Sequence, residues 1–123
     1  MTARYTCPCC GFQTFDELPG SYQVCHVCFW EDDPVQLLDP WFAGGANRSS
    51  LRDAQDMYAV CGATEPRFLK NVKGVLTGDV RDPTWRRVHE EDRTLVRAFG
   101  DLSSDELRDL TIWYYWRRSV GAE

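Results

Sequence analysis

Two kinds of patterning divide the chain. Up to about Asp39 the apolar positions come in short pieces interrupted by Pro8, Gly11, Pro19, Gly20, Pro34 and Pro40. The pieces at 11–15 and 21–25 read as two hairpin strands, because short runs bounded by turn residues favour extended chain. Beyond residue 46 the spacing changes to three and four. A serine cap at Ser49 or Ser50 precedes Leu51, Ala54, Tyr58 and Cys61, and Gly62 closes that helix. A shorter helix is expected over 66–72. Asp82 and Pro83 open a third, with Trp85, Val88, Leu95 and Phe99 as its apolar stripe before Gly100. The last begins with a Ser103 and Glu106 capping box, runs to 121, and carries Arg117 and Arg118 where they suit the helix dipole. Its face Leu107, Leu110, Tyr114 would pack inward, leaving Trp113, Tyr115 and Trp116 on other sides. That surplus of aromatic surface suits an interface.

Composition sets bounds on these elements. A chain of 123 residues is long enough for one core. Five Trp, six Phe and five Tyr promise a core or interface of large flat side chains. No apolar run is long enough to span a bilayer, and MTARYTCPCC lacks the basic-then-apolar layout of a secretory leader. A cytoplasmic location is expected, where six cysteines read as metal ligands or redox groups before disulfides.

Net charge is −5, and residues 1–61 carry all of it, with eight acids against three arginines. Residues 62–123 hold eleven of each sign. An acidic first half repels phosphate backbones, so nucleic acid is an unlikely partner and a basic protein a better one. Only Arg86, Arg87, Arg93 and Arg97 offer a basic stripe, and Glu90 shares it.

The cysteines carry the chemistry. Two C-x-x-C turns supply four soft ligands that converge on one tetrahedral ion. Cys25 and Cys28 form one such pair, and the same spacing selects Cys7 and Cys10 from the crowded CPCC triplet, with fourteen residues between the pairs. Zinc is the expected metal, and iron can use the same knuckles. Metal binding would make the first forty or so residues fold only when loaded. Cys9 is then a spare thiol pointing away from the metal, Cys61 a small core residue and His26 an exposed turn histidine. As an alternative, Cys7, Cys9 and Cys10 resemble a C-P-x-C redox motif, which would need a thiol of lowered pKa.

In FWEDDPVQ, Phe29 and Trp30 can shield the sulfurs. Glu31, Asp32 and Asp33 read as a solvated, turn-forming acidic block with Asp32 or Asp33 bonding a nearby backbone amide, as a patch for a basic partner, or as a trio holding a hard cation for hydrolysis. Trp113 and Trp116 join them as candidate partner-binding residues. Gly44 and Gly45 mark a tight turn against the metal unit, with Asn47 bonding locally. His89 and its acidic neighbours lack a second histidine four residues on and read as a solvated face.

Three blocks together, CPCCGF, CHVCFWEDDPVQ and GGANRSSLRDAQ, resemble the bacterial cysteine-rich CPCC family over residues 5–66. The resemblance implies a zinc-ribbon-like unit with Cys7, Cys10, Cys25 and Cys28 as ligands. His26 stands where the family tends to have proline, which argues against a fixed ligand there.

These readings give an α+β fold, a small zinc-ribbon-like β-hairpin unit packed against three to four helices. One domain spans 1–123, with the metal-binding ribbon at 1–45 and the helical part at 46–123. The function expected is that of a protein-protein binding module with structural zinc, such as an immunity protein or regulatory adaptor. Four protein ligands leave no open position for water, so no catalytic residue is assigned.

Overall fold

The computed structural model describes residues 4–118. Each cysteine pair lies in a turn that closes on its own flanks. In the first, the Cys7 N–H donates to Phe12 O at 2.9 Å and the Gly11 N–H to Cys7 O at 2.8 Å. The second repeats this, with Cys25 N–H to Trp30 O at 2.9 Å and Phe29 N–H to Cys25 O at 2.8 Å. Gly11 (φ 83°) and Phe29 (φ 73°) take the same left-handed backbone at equivalent positions.

This closure overturns the expected hairpin. Among the described residues there is no β-strand and no sheet, only isolated antiparallel bridges at Tyr5–Phe15, Phe12–Arg81 and Val24–Glu31. Backbone polar groups must each find a partner. Those of 11–15 find Tyr5 and residues 80–82, and those of 21–25 find 30–32, so the two pieces never pair with each other. The architecture is irregular chain carrying short helices.

The helix α1, Pro34–Leu38, starts at Asp33, whose side chain accepts from the Val35 and Gln36 N–H groups. Pro34 occupies the first turn, where its missing N–H costs nothing. The longer α2, Leu51–Cys61, is capped by Ser50 and closed by Gly62, with Leu51, Ala54 and Gln55 on its buried side. Pro66–Phe68 is a single 3-10 turn where a longer helix is expected.

The third expected helix is absent as such; only a 3-10 segment at Glu90–Leu95 and a turn at Phe99–Asp101 form. Side chains that bond the backbone locally compete with helix, and two aspartates do so here. Asp82 accepts from the Thr84 N–H and hydroxyl, and Asp92 accepts from the His89 N–H.

The last helix is likewise broken. The Ser103 and Glu106 box forms, with bonds of 2.9 and 3.2 Å, but serves a 3-10 turn at Glu106–Arg108. Asp109 restarts the chain as α3, Leu110–Trp113, and a further 3-10 turn follows at Tyr115–Arg117. Residues 119–121 of the expected helix lie outside the described residues. Trp113, Tyr114, Tyr115 and Trp116 are all buried. Four consecutive side chains cannot share one face of a regular helix, and the extended backbone at Tyr114 (ψ 112°) re-aims them. The aromatic surplus is thus internal: Tyr114 stacks on Trp116 at 4.3 Å, and Tyr115 meets it edge-on at 4.9 Å. These rings join Phe15, Trp30, Leu37, Leu51 and the five cysteines of the two turns in one core cluster.

Candidate metal centre

The turns bring four sulfurs together at the middle of that core. Cys7 Sγ lies 3.6 Å from Cys28 Sγ, and Cys10 Sγ lies 3.7 Å from Cys25 Sγ. All four are within 4.8 Å of one another, and each cysteine is 0% exposed. A tetrahedral ion with metal–sulfur bonds of about 2.3 Å needs sulfurs roughly 3.8 Å apart. The four therefore already enclose a site of the right size for a metal ion.

A family model described as cysteine-rich CPCC matches residues 5–78, well over half of the 123. The chain belongs to the cysteine-rich CPCC family. No curated protein matches the sequence. The matched region holds both CPCC-family turns, α1 and α2, and ends before the residues from 80 onward that brace the first turn.

Burial pushes Cys7 and Cys28 well above the ordinary thiol range, while hydrogen bonds from Cys10, Cys28 and Cys7 hold Cys25 far below it. The Thr14 hydroxyl adds a bond to Cys25 Sγ at 3.1 Å. A metal ion among the four sulfurs would favour the charged form of each, and the four cysteines could hold one.

Three residues whose role sequence reasoning missed hold the first turn from outside the knuckles. Gln55 Nε2 donates to Pro8 O at 2.9 Å and to the Tyr115 hydroxyl at 2.8 Å, and its Oε1 accepts from the Val88 N–H at 2.9 Å. Trp85 Nε1 donates to the same Pro8 O at 2.9 Å. Arg81 Nε donates to Cys10 O at 3.1 Å and lies over the Phe12 ring. The signal for Gln55 was its place four residues after Leu51, on the apolar side of α2. Trp85 was read as a helix stripe residue and is instead a brace.

Cys9 is 1% exposed and lies outside the four-sulfur site. Burial raises its pKa, the opposite of what an activated redox thiol needs. Cys61 is half-buried at the end of α2 rather than in the core. His26 is half-buried, and its Nε2 is 2.8 Å from Asp79 Oδ2. Burial alone would raise the Asp79 carboxyl, but hydrogen bonds from His26 and the Leu76 N–H outweigh it and lower the pKa.

The candidate partner residues mostly face inward. Asp33 Oδ1 caps α1 and its Oδ2 accepts from the Ala46 N–H at 2.8 Å. Asp32 is 1% exposed; its Oδ2 accepts from the Gly20 N–H at 3.0 Å and from Ser21, while its Oδ1 has no partner. Burial pushes its pKa up to about 6. Trp113 and Trp116 are buried, and only Glu31 of the five is half-exposed. Asn47 does not bond locally as expected: it reaches back to Glu31, its Oδ1 accepting from the Glu31 N–H at 2.9 Å and its Nδ2 donating to Glu31 O at 2.8 Å. The arginine stripe is neutralised: Arg86 pairs with Asp92, Arg87 with Asp56, Arg93 with Glu90 and Arg97 with Glu106. Among the described residues, no helix is long and apolar enough to cross a membrane.

Proposed function

We propose that this chain is a structural zinc protein that binds a basic protein partner. The observation that carries the metal half is the set of four fully buried sulfurs at tetrahedral spacing. Four protein ligands fill the coordination of zinc and leave no position for a reacting water, so the ion cross-links the two turns. Iron would use the same donors. Cysteines used as metal ligands rather than as disulfides suit a reducing compartment such as the cytoplasm.

The partner half rests on charge. Eight acids against three arginines in residues 1–61, with about two further negative charges from a loaded four-thiolate site, favour a basic surface. With Asp32 and Asp33 buried, the contact falls to exposed acids such as Asp16, Glu17 and Asp53. Affinity capture with the metal-loaded chain tests this. A basic partner released by salt, and lost when Asp16 and Glu17 become Lys, is the expected result. Capture that ignores those charges overturns it.

A further inference from the structure

Far from the sulfurs in sequence, the end of the chain builds a second polar feature that the metal reading does not use. Arg118 is half-buried and donates all five of its N–H groups to backbone carbonyls. Nε bonds Ile112 O at 2.8 Å, Nη1 bonds Leu95 O at 2.7 Å and Leu38 O at 3.3 Å, and Nη2 bonds Trp113 O at 3.2 Å and Leu37 O at 3.3 Å. Those oxygens belong to the last turns of α1, of α3 and of the 3-10 segment at 90–95. Helix C-termini present unsatisfied carbonyls and partial negative charge, which is why a guanidinium settles there. Yet among the described residues no carboxylate pairs with it. The acids that act on it from nearby, Asp92 and Asp39, are committed to Arg86 and to the Trp41 N–H.

This fixed cation lines a cavity of about 320 Å³ together with Arg97 and Arg117. Small-ligand sites span roughly 300 to 1,000 Å³. Among the described residues no acidic residue lines it, and the rest of its wall is Leu95, Val96 and Ile112 with the hydroxyl-bearing Thr94 and Thr111. Both hydroxyls donate elsewhere, to Glu91 O and Asp109 Oδ1, and present only lone pairs. Arg97 and Arg117 each spend only Nη2 on a carboxylate, Arg97 on Glu106 at 3.0 Å and Arg117 on Asp82 at 3.4 Å. Their remaining N–H groups are the donors on offer. Arg118 is the charge at this opening that no carboxylate pairs among the described residues, and the N–H groups that Arg97 and Arg117 do not spend on Glu106 and Asp82 add donors, a combination that suits an anion.

We propose that this cavity binds a small molecule bearing one oxyanion, a carboxylate or a phosphate, on a short apolar body. Arg118 supplies a positive charge held rigid by five carbonyls. Arg97 and Arg117 supply the hydrogen bonds, and the aliphatic wall takes the body. The site is independent of the metal and of the partner surface.

Nuclear magnetic resonance titration of the full, metal-loaded chain tests this, using inorganic phosphate and butyrate as separate probes at constant ionic strength. The expected result is saturable shifting of the Arg97 and Arg117 Nε–H signals by at least one probe, and which probe binds tighter distinguishes the two oxyanions. Arg97→Gln should weaken that binding about tenfold, the cost of one charged hydrogen bond. Arg93→Gln, whose guanidinium lies over the Trp41 ring and not in the cavity, should leave it within about twofold. Arg97→Lys, which keeps the charge but loses the fork, gives a second reading if the Gln variant fails to fold. Saturation by neither probe, equal shifts at every exposed arginine, or unchanged affinity in both Arg97 variants overturns the proposal.

Discussion

Replacing Gly11 by alanine probes how tightly the first knuckle is built. Gly11 has φ 83°, and a Cβ added there would sit 2.6 Å from Trp85 Cδ2 and Cε3. Left-handed backbone costs a non-glycine residue about 1–2 kcal/mol. Carbon atoms prefer separations of roughly 3.5–4.0 Å, so the indole would have to withdraw by about 1 Å. It is pinned by its bond to Pro8 O, whose loss costs about 1 kcal/mol, and overpacking adds about 1–3 kcal/mol. The sum is a destabilisation of about 3–6 kcal/mol. Gly44 supplies the control: it has φ 85° with nothing within 4 Å of an added Cβ, so Gly44→Ala carries only the backbone part. Urea unfolding of the metal-loaded proteins measures both. In a Trp85→Ala background, Gly11→Ala should fall toward the Gly44→Ala value. A Gly11→Ala cost no larger than that of Gly44→Ala would refute the reasoning.

Three further outcomes follow from the same contacts. Cys25→Ser should abolish stoichiometric metal and cooperative unfolding, whereas Cys9→Ser should keep one metal per chain, as elemental analysis and thermal melts would show. Asp32 is an acid whose folded pKa, about 6, lies above its unfolded value of 3.8. Its protonated form therefore stabilises the fold fully below pH 3.8, and that contribution is lost as pH rises through 6. Relative to Asp32→Asn, which does not titrate, the native protein should lose about 2–3 kcal/mol between pH 4 and pH 7; a constant difference across that window contradicts this. Gln55→Leu strips the Val88 N–H of its partner and removes one bond each from Pro8 O and the Tyr115 hydroxyl, and should cost about 2–4 kcal/mol in denaturant unfolding.

What could be read from the sequence was local. Cysteine spacing identified the four sulfurs that the structure gathers, because a C-x-x-C turn fixes its own geometry. The Ser50 and Gly62 ends of α2 are short-range devices of the same kind. The missing hairpin was illegible because each piece pairs with other chain instead: Phe12 faces Arg81, across nearly seventy residues, while Phe15 faces Tyr5 and Val24 faces Glu31. The last helix broke for a reason visible only in three dimensions, the demand that Trp113 through Trp116 all be buried. Acidic side chains misled most. Asp32 and Asp33 look like surface charge in the sequence, yet they are spent inside on Gly20, Ser21, Val35, Gln36 and Ala46 amides.

X-ray absorption at the metal edge of the loaded protein tests the central claim most directly. Four sulfur neighbours at about 2.3 Å, with no lighter scatterer in the first shell, is the result that a closed zinc site built by Cys7, Cys10, Cys25 and Cys28 requires. A first shell containing nitrogen or oxygen, or fewer than four sulfurs, would mean that His26 or water occupies a position and that the structural account of the metal is wrong.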